Sequence, residues 1–274
     1  MRNIYRPPVF YLLAAYLIIM RCYSQEARNL TIKSIELPDS SFNRVVCKPG
    51  TFAYWLRNLP LKPKDSPVLD YRGLVYKKGT DSTVAAVVNW NMQGKRLEQC
   101  MDILVRFYAE YLWENNRYGD IVFPLPGGYY LRWNDWKSGK RPYFKGIDVH
   151  LKKHENPDSS RTSFERYLRI VFAESHTQQF YFAYERIVPK NIQIGDFIVK
   201  RGSKSHAVMI VDLAWNNKGD TLALIGHGDT PACQFYILNY RRDDPWIPLD
   251  FNKEKIPLPI RREMSWDGLR KFPK

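Results

Sequence analysis

Two histidines and a cysteine are the residues of this 274-residue chain whose types and order could carry chemistry. His206 opens an apolar run, Ala207-Val208-Met209-Ile210-Val211, that reads as a strand buried on both faces. An imidazole at the mouth of such a strand sits at the edge of the core, where neighbours tune its charge. His227 ends a further strand, Thr221 to Ile225 followed by Gly226-His227-Gly228, and a hairpin would bring the two imidazoles together at one sheet edge. Cys100 lies upstream in a helical stretch. A thiol, a base and a group that fixes the base's tautomer are what acyl transfer through a cysteine requires.

The elements that must position these groups are legible on either side. Gly195-Asp196 turns the chain into Phe197-Ile198-Val199, and Arg201 to Ser205 is a breaker cluster before His206. Leu97, Met101, Leu104, Val105, Tyr108 and Leu112 mark an apolar helical stripe with Cys100 on or beside it. Asp102 with Arg106, and Arg106 with Glu110, are spaced as ion pairs for the outer face of that helix. A start at Gly94 would place Cys100 a turn and a half inside. The cysteine has two readings: a nucleophile activated by the helix dipole and a nearby imidazole, or a small buried hydrophobe.

The run IGDFIV, a short loop, HAVMIVD and a polar residue after the next strand resembles the C-terminal half of NlpC/P60-type papain-like cysteine peptidases and amidases. Over nearly the whole chain, RVVCKPGTFAYWLRNLPLKP, RLEQCMDILVRFYAEYLW and SKSHAVMIVDLAWN resemble the uncharacterised bacterial family called domain of unknown function 4846. The first resemblance implies an α+β, papain-like fold, with an antiparallel sheet packed on a central helix, plus insertions. It also implies Cys100 as nucleophile, His206 as base and His227 as the orienting residue, with no metal or organic cofactor. Such a thiol would alkylate near pH 6 to 7, below the reference value of about 8.5 for free cysteine.

Residues 1–24 read as a signal peptide: Arg2 and Arg6 precede the apolar run Val9 to Met20, which is short for a membrane span, and Cys22-Tyr23-Ser24 offers a cleavage site before Gln25. Lipidation of Cys22 is the alternative, although Arg21 fits such a site poorly. Cleavage removes three positive charges, Arg2, Arg6 and Arg21, so the formal net charge falls from +14 to +11. Residues 25–274 are then expected as one domain, exported to the periplasm or the outer membrane, with no transmembrane helix after cleavage. The positive charge reads either as attraction to an anionic envelope polymer such as peptidoglycan or to lipid head groups, or as a plain basic, soluble surface; no nucleic-acid signature is present.

Cys47, Cys100 and Cys233 survive cleavage. Any disulfide is expected between Cys47 and Cys233, which leaves the proposed nucleophile reduced. Other expected elements are a helix over Thr51 to Leu59, strands over Tyr71 to Tyr76, Val84 to Trp90 and Ile121 to Phe123, and a helical stretch over Ser163 to Arg186. Ser175-His176-Thr177 is expected to interrupt that stretch, and His176 is a lesser site candidate. An aromatic and basic insertion around residues 124–160 offers Tyr129, Tyr130, Trp133 and Trp136 as a substrate-binding groove, or as aromatics that pack the loop on the core. His150 and His154 read as surface residues, and the tail after Asn239 as an outer wrap.

Overall fold

The computed structural model describes residues 30–273, so the expected leader and Cys22 lie outside the described residues. The class is α+β, and the main sheet is antiparallel throughout. Its strands are β1 (Phe42–Arg44), β2 (Val84–Val87), β3 (Phe197–Lys200), β4 (His206–Asn216), β5 (Thr221–His227), β6 (Tyr236–Leu238), β7 (Ile247–Pro248) and β8 (Leu269–Arg270). The order is β8-β3-β4-β5-β6-β2, with β1 also paired to β4 and β7 to β5. Ala207 to Val211 are all buried, as a continuous apolar run requires.

A bulge between Ile210 and Asp212 shifts the β4 register. Asp212 is fully buried there, and it accepts from Arg44 and from Arg57 Nε at 3.1 Å. Arg57 closes α1 (Phe52–Arg57), which Thr51 caps by accepting from the Tyr54 N–H. The ion pairs thus tie α1 and β1 to the central strand.

Against this sheet lies α2 (Cys100–Glu114), buried on nearly every side from Cys100 to Leu112. The expected outer face of charge pairs is therefore wrong. Arg106 is 1 % exposed and donates to Glu98 (2.7 Å), Glu110 (3.0 Å) and Glu165 (2.7 Å). Asp102 does not pair with it but accepts from the Gln99 N–H. The cause is a second layer: α4 (Arg161–Glu174) covers that side and brings Glu165 and Arg161 with it.

The first part of the insertion between them packs inward too, through Leu131, Trp133 and Trp136. Val122–Pro124 pairs with Tyr130–Arg132, then come α3 (Trp133–Lys137) and a hairpin of Lys140–Lys145 with Asp148–Lys153. α5 (Thr177–Ala183) follows α4 after a break at Ser175-His176. The tail is no outer wrap: β8 joins the sheet, Trp246 is 2 % exposed, and Phe272 stacks on Tyr108 with ring centroids 4.3 Å apart. Burying those large rings ties the C-terminal segment to the core, and each contributes roughly 2 kcal/mol or more by area.

Candidate functional site

Gln99 has extended backbone and its N–H donates to Asp102 Oδ2 at 3.2 Å, while its carbonyl accepts from Ile103. That cap starts α2 at Cys100 rather than at Gly94, whose positive φ of 77° instead belongs to a preceding turn. The thiol therefore stands on the first residue of the helix, at the positive end of its dipole. Burial nevertheless pushes it up to about 11, with Asp102 adding in the same sense. The Ala207 main chain, the Thr177 hydroxyl and the Met101 main chain pull the other way, because each favours the thiolate. An activated thiol at pH 6 to 7 is thus not what the closed site holds.

The histidines meet because Met209 pairs with Gly226 across the β4–β5 ladder. Side chains alternate with a period of two, so His206 and His227 lie on one face as diagonal neighbours. His206 Nε2 and His227 Nδ1 are 2.8 Å apart, with ring planes 84° from each other. Tyr236, opposite His227 on β6, packs against that ring at 4.6 Å. Burial lowers His206 to about 4, against the pull of Asp229, and lowers His227 to about 3, with His206 adding to the effect. Both rings are neutral at pH 7, so one proton lies between them.

His206 Nδ1 and His227 Nε2 have no hydrogen-bond partner among the described residues. The structure thus joins His206 to His227 but makes no hydrogen bond from either ring to Cys100. What links the thiol to them is position, since it faces the main chain of Ala207, the residue after His206. Cys100, His206 and His227 are 5 %, 0 % and 1 % exposed, so the group is closed to water.

Several residues of this cluster carry no sequence motif. Thr230 donates its hydroxyl to Gln99 Oε1 at 2.8 Å, which ties the loop after His227 to the tip of α2. Asp229 accepts from Tyr76 (2.8 Å), Arg262 (3.0 Å) and the Thr230 N–H. The Thr230 N–H, His227 and the Tyr76 hydroxyl hold its carboxyl below the usual range despite burial. Thr177 begins α5, whereas its neighbour His176 is exposed at the cap position.

The other sequence candidates are elsewhere. Trp133 and Trp136 are buried: Trp133 packs on Phe164 and Tyr167, and Trp136 donates to Ser163 Oγ at 3.1 Å. They fill core space between α3 and α4, so they do not line a groove. Tyr129 is half-buried, and Tyr130 is exposed with its hydroxyl on the Ala183 carbonyl. His150 is exposed on the hairpin and His154 is exposed just after it. Among the described residues Cys47 and Cys233 are free thiols, which corrects the expected disulfide; Cys47 lies near Arg57 and Asp212, Cys233 near Asp229.

A family model described as Domain of unknown function (4846) matches residues 32–265. No curated protein and no solved structure matches the chain.

Proposed function

Because the chain belongs to the family of unknown function 4846, its chemistry has to come from its own side chains, and we propose a cysteine hydrolase of amide or peptide bonds on a papain-like, NlpC/P60-type core. The observation that carries this reading is the 2.8 Å His206–His227 pair beside a cysteine at a helix tip. With the shared proton on His206 Nε2 and donated to His227 Nδ1, His206 Nδ1 is left bare and can act as base. On attack, the Cys100 S–H proton passes to Nδ1 as sulfur bonds the substrate carbonyl carbon. The C–N bond then breaks, the leaving amine takes that proton, and water repeats the sequence to release the acid and restore the thiol. The Cys100 N–H at the tip of α2 is the main-chain donor this reading assigns to the oxyanion. Since thiol and imidazole start neutral, proton transfer accompanies attack.

Cys233 is an internal control, because it is as buried as Cys100 and has a thiol raised in the same sense. The test maps modification of folded protein by an epoxysuccinyl-peptide probe and by iodoacetamide. Cys100 should react at least tenfold faster than Cys233, and His206→Ala should remove the difference. Equal rates, appearing only on unfolding, would refute the hydrolase.

A second reading is favoured by the thiol's burial and its lack of a hydrogen bond to His206: an envelope binding protein that keeps the scaffold without catalysis. Either reading places the protein outside the cytoplasm, periplasmic or outer-membrane associated, with a peptidoglycan-like anionic polymer as partner. Mass spectrometry should find the N-terminus at Gln25; an intact N-terminus on cytoplasmic protein contradicts export.

A further inference from the structure

At the far end of α2 from the thiol lies a cavity of about 440 Å³, within the range of small-ligand pockets. Fourteen helical steps of about 1.5 Å separate Cys100 from Glu114 at its rim, roughly 21 Å along the axis. It is therefore separate from the cysteine and histidine cluster. Tyr54, Trp55, Trp90 and Tyr111 contribute aromatic surface to it, and Asn58, Glu114 and Asn115 contribute polar atoms.

The hydrogen bonds made by those residues fix what the cavity still offers. Asn58 commits its amide N–H to the Tyr54 carbonyl (2.7 Å), and Asn115 commits its own to the Tyr111 carbonyl (2.8 Å). Each amide is left with its oxygen as an acceptor and its second N–H as a donor. Glu114 Oε2 accepts from the Trp55 indole at 2.6 Å, which fixes that ring and leaves the other carboxylate oxygen. Trp90 Nε1 is buried and has no partner among the described residues. An orphaned buried donor of that kind costs about 1–3 kcal/mol until something accepts from it.

We infer that this cavity is a saccharide-binding site, with a sugar ring stacked on the Trp55 and Tyr54 side and one of its oxygens accepting from Trp90 Nε1. A pyranose has an apolar C–H face for the aromatic rings and hydroxyls that both donate and accept. Three free acceptors, the second N–H of each amide and the Trp90 N–H match that set. An ammonium ligand would suit the aromatics and the carboxylate, but it offers nothing to the Trp90 N–H, and the Lys95 ammonium already lies 5.4 Å from the Trp90 ring. The chain's net charge of +14 also disfavours a cation. The site does not depend on the thiol being catalytic.

The experiment titrates the full chain with chitotriose, cellotriose and maltotriose, and separately with choline, following tryptophan fluorescence and the indole N–H resonances. At least one trisaccharide should bind with a shift of the Trp90 indole resonance. Trp90→Phe, which keeps the ring and removes the donor, should weaken binding about tenfold. Glu114→Gln, a surface change, should weaken it as well while thermal unfolding stays unchanged. Trisaccharide binding unaffected by both variants, no binding by any of the three at millimolar concentration, or choline binding in their place would each overturn the inference.

Discussion

Arg106 Nη2 lies 2.7 Å from Glu98 Oε1, an ion pair buried at both ends that joins the second turn of α2 to the segment just before its cap. Glu98 stands two residues ahead of Cys100, so this pair holds the approach to the helix tip. Glu110 and Glu165 complete the ring of carboxylates around the guanidinium, and Arg161 supports those two from outside.

Arg106→Met should therefore destabilise the fold by roughly 3–5 kcal/mol, because it leaves a buried Glu98 carboxylate with only the Lys95 ammonium at 3.6 Å, and its second oxygen already lacks a partner. Urea unfolding at pH 7 measures it. A loss under about 1 kcal/mol would mean that Glu98 takes up a proton at no cost and that the pair does not organise the tip.

Gly226 should not accept a side chain. A Cβ there would run into the Phe235 ring and come within 2.9 Å of the Tyr236 carbonyl, and Phe235 is fully buried with its ring 5.0 Å from Phe107. Gly226→Ala should cost about 1–3 kcal/mol in urea unfolding. Gly228→Ala, whose nearest contact is the Ile103 side chain at 3.0 Å, should cost less than about 1 kcal/mol. Equal costs for the two would show that β5 shifts freely on β6, against the pairing of Gly226 with Ile237.

The strands around the histidines were legible because a continuous apolar run has few other uses, and Ala207 to Val211 is such a run. The start of α2 was not. Gly94 looks like a helix start, but the capping atoms belong to Gln99 and Asp102, and nothing in their spacing marks them out. The spacing of Arg106 and Glu110 is the same on an exposed face as in a buried network. Only Glu165, 59 residues further along, decides between them. Trp133 and Trp136 show the same limit, since aromatic composition describes a groove and a core equally well. Thr177, Asp229 and Arg262 reach the site by long-range packing and have no local signature.

Thr177 offers a finer test of the thiol. Its hydroxyl favours the Cys100 thiolate, and valine has nearly its shape without that group. Thr177→Val should slow Cys100 modification about tenfold relative to Cys233, the scale of one hydrogen bond to a charged group. Unfolding free energy should change by less than about 1 kcal/mol. An unchanged ratio would remove Thr177 from the site.

The histidine pair makes stability depend on pH with a defined sign. Burial lowers His206 to about 4 and His227 to about 3, both from 6.5. Below pH 6.5 the unfolded chain takes up protons that the folded chain refuses, so acid favours unfolding. The stabilisation is complete above pH 6.5 and is lost as pH falls toward 4 and then 3, by up to roughly 1.4 kcal/mol per pH unit for each ring kept neutral. Glu98 and Asp102 are raised by burial and oppose this trend, since their folded forms hold protons that the unfolded chain has released. A comparison cancels their contribution: wild type against a His206→Gln, His227→Gln double variant, each unfolded in urea at half-unit steps from pH 7 to 4.5. Wild type should lose stability more steeply than the variant across that interval. Parallel curves would mean that the pair accepts a proton in the folded state, and that the two rings are not held neutral by burial.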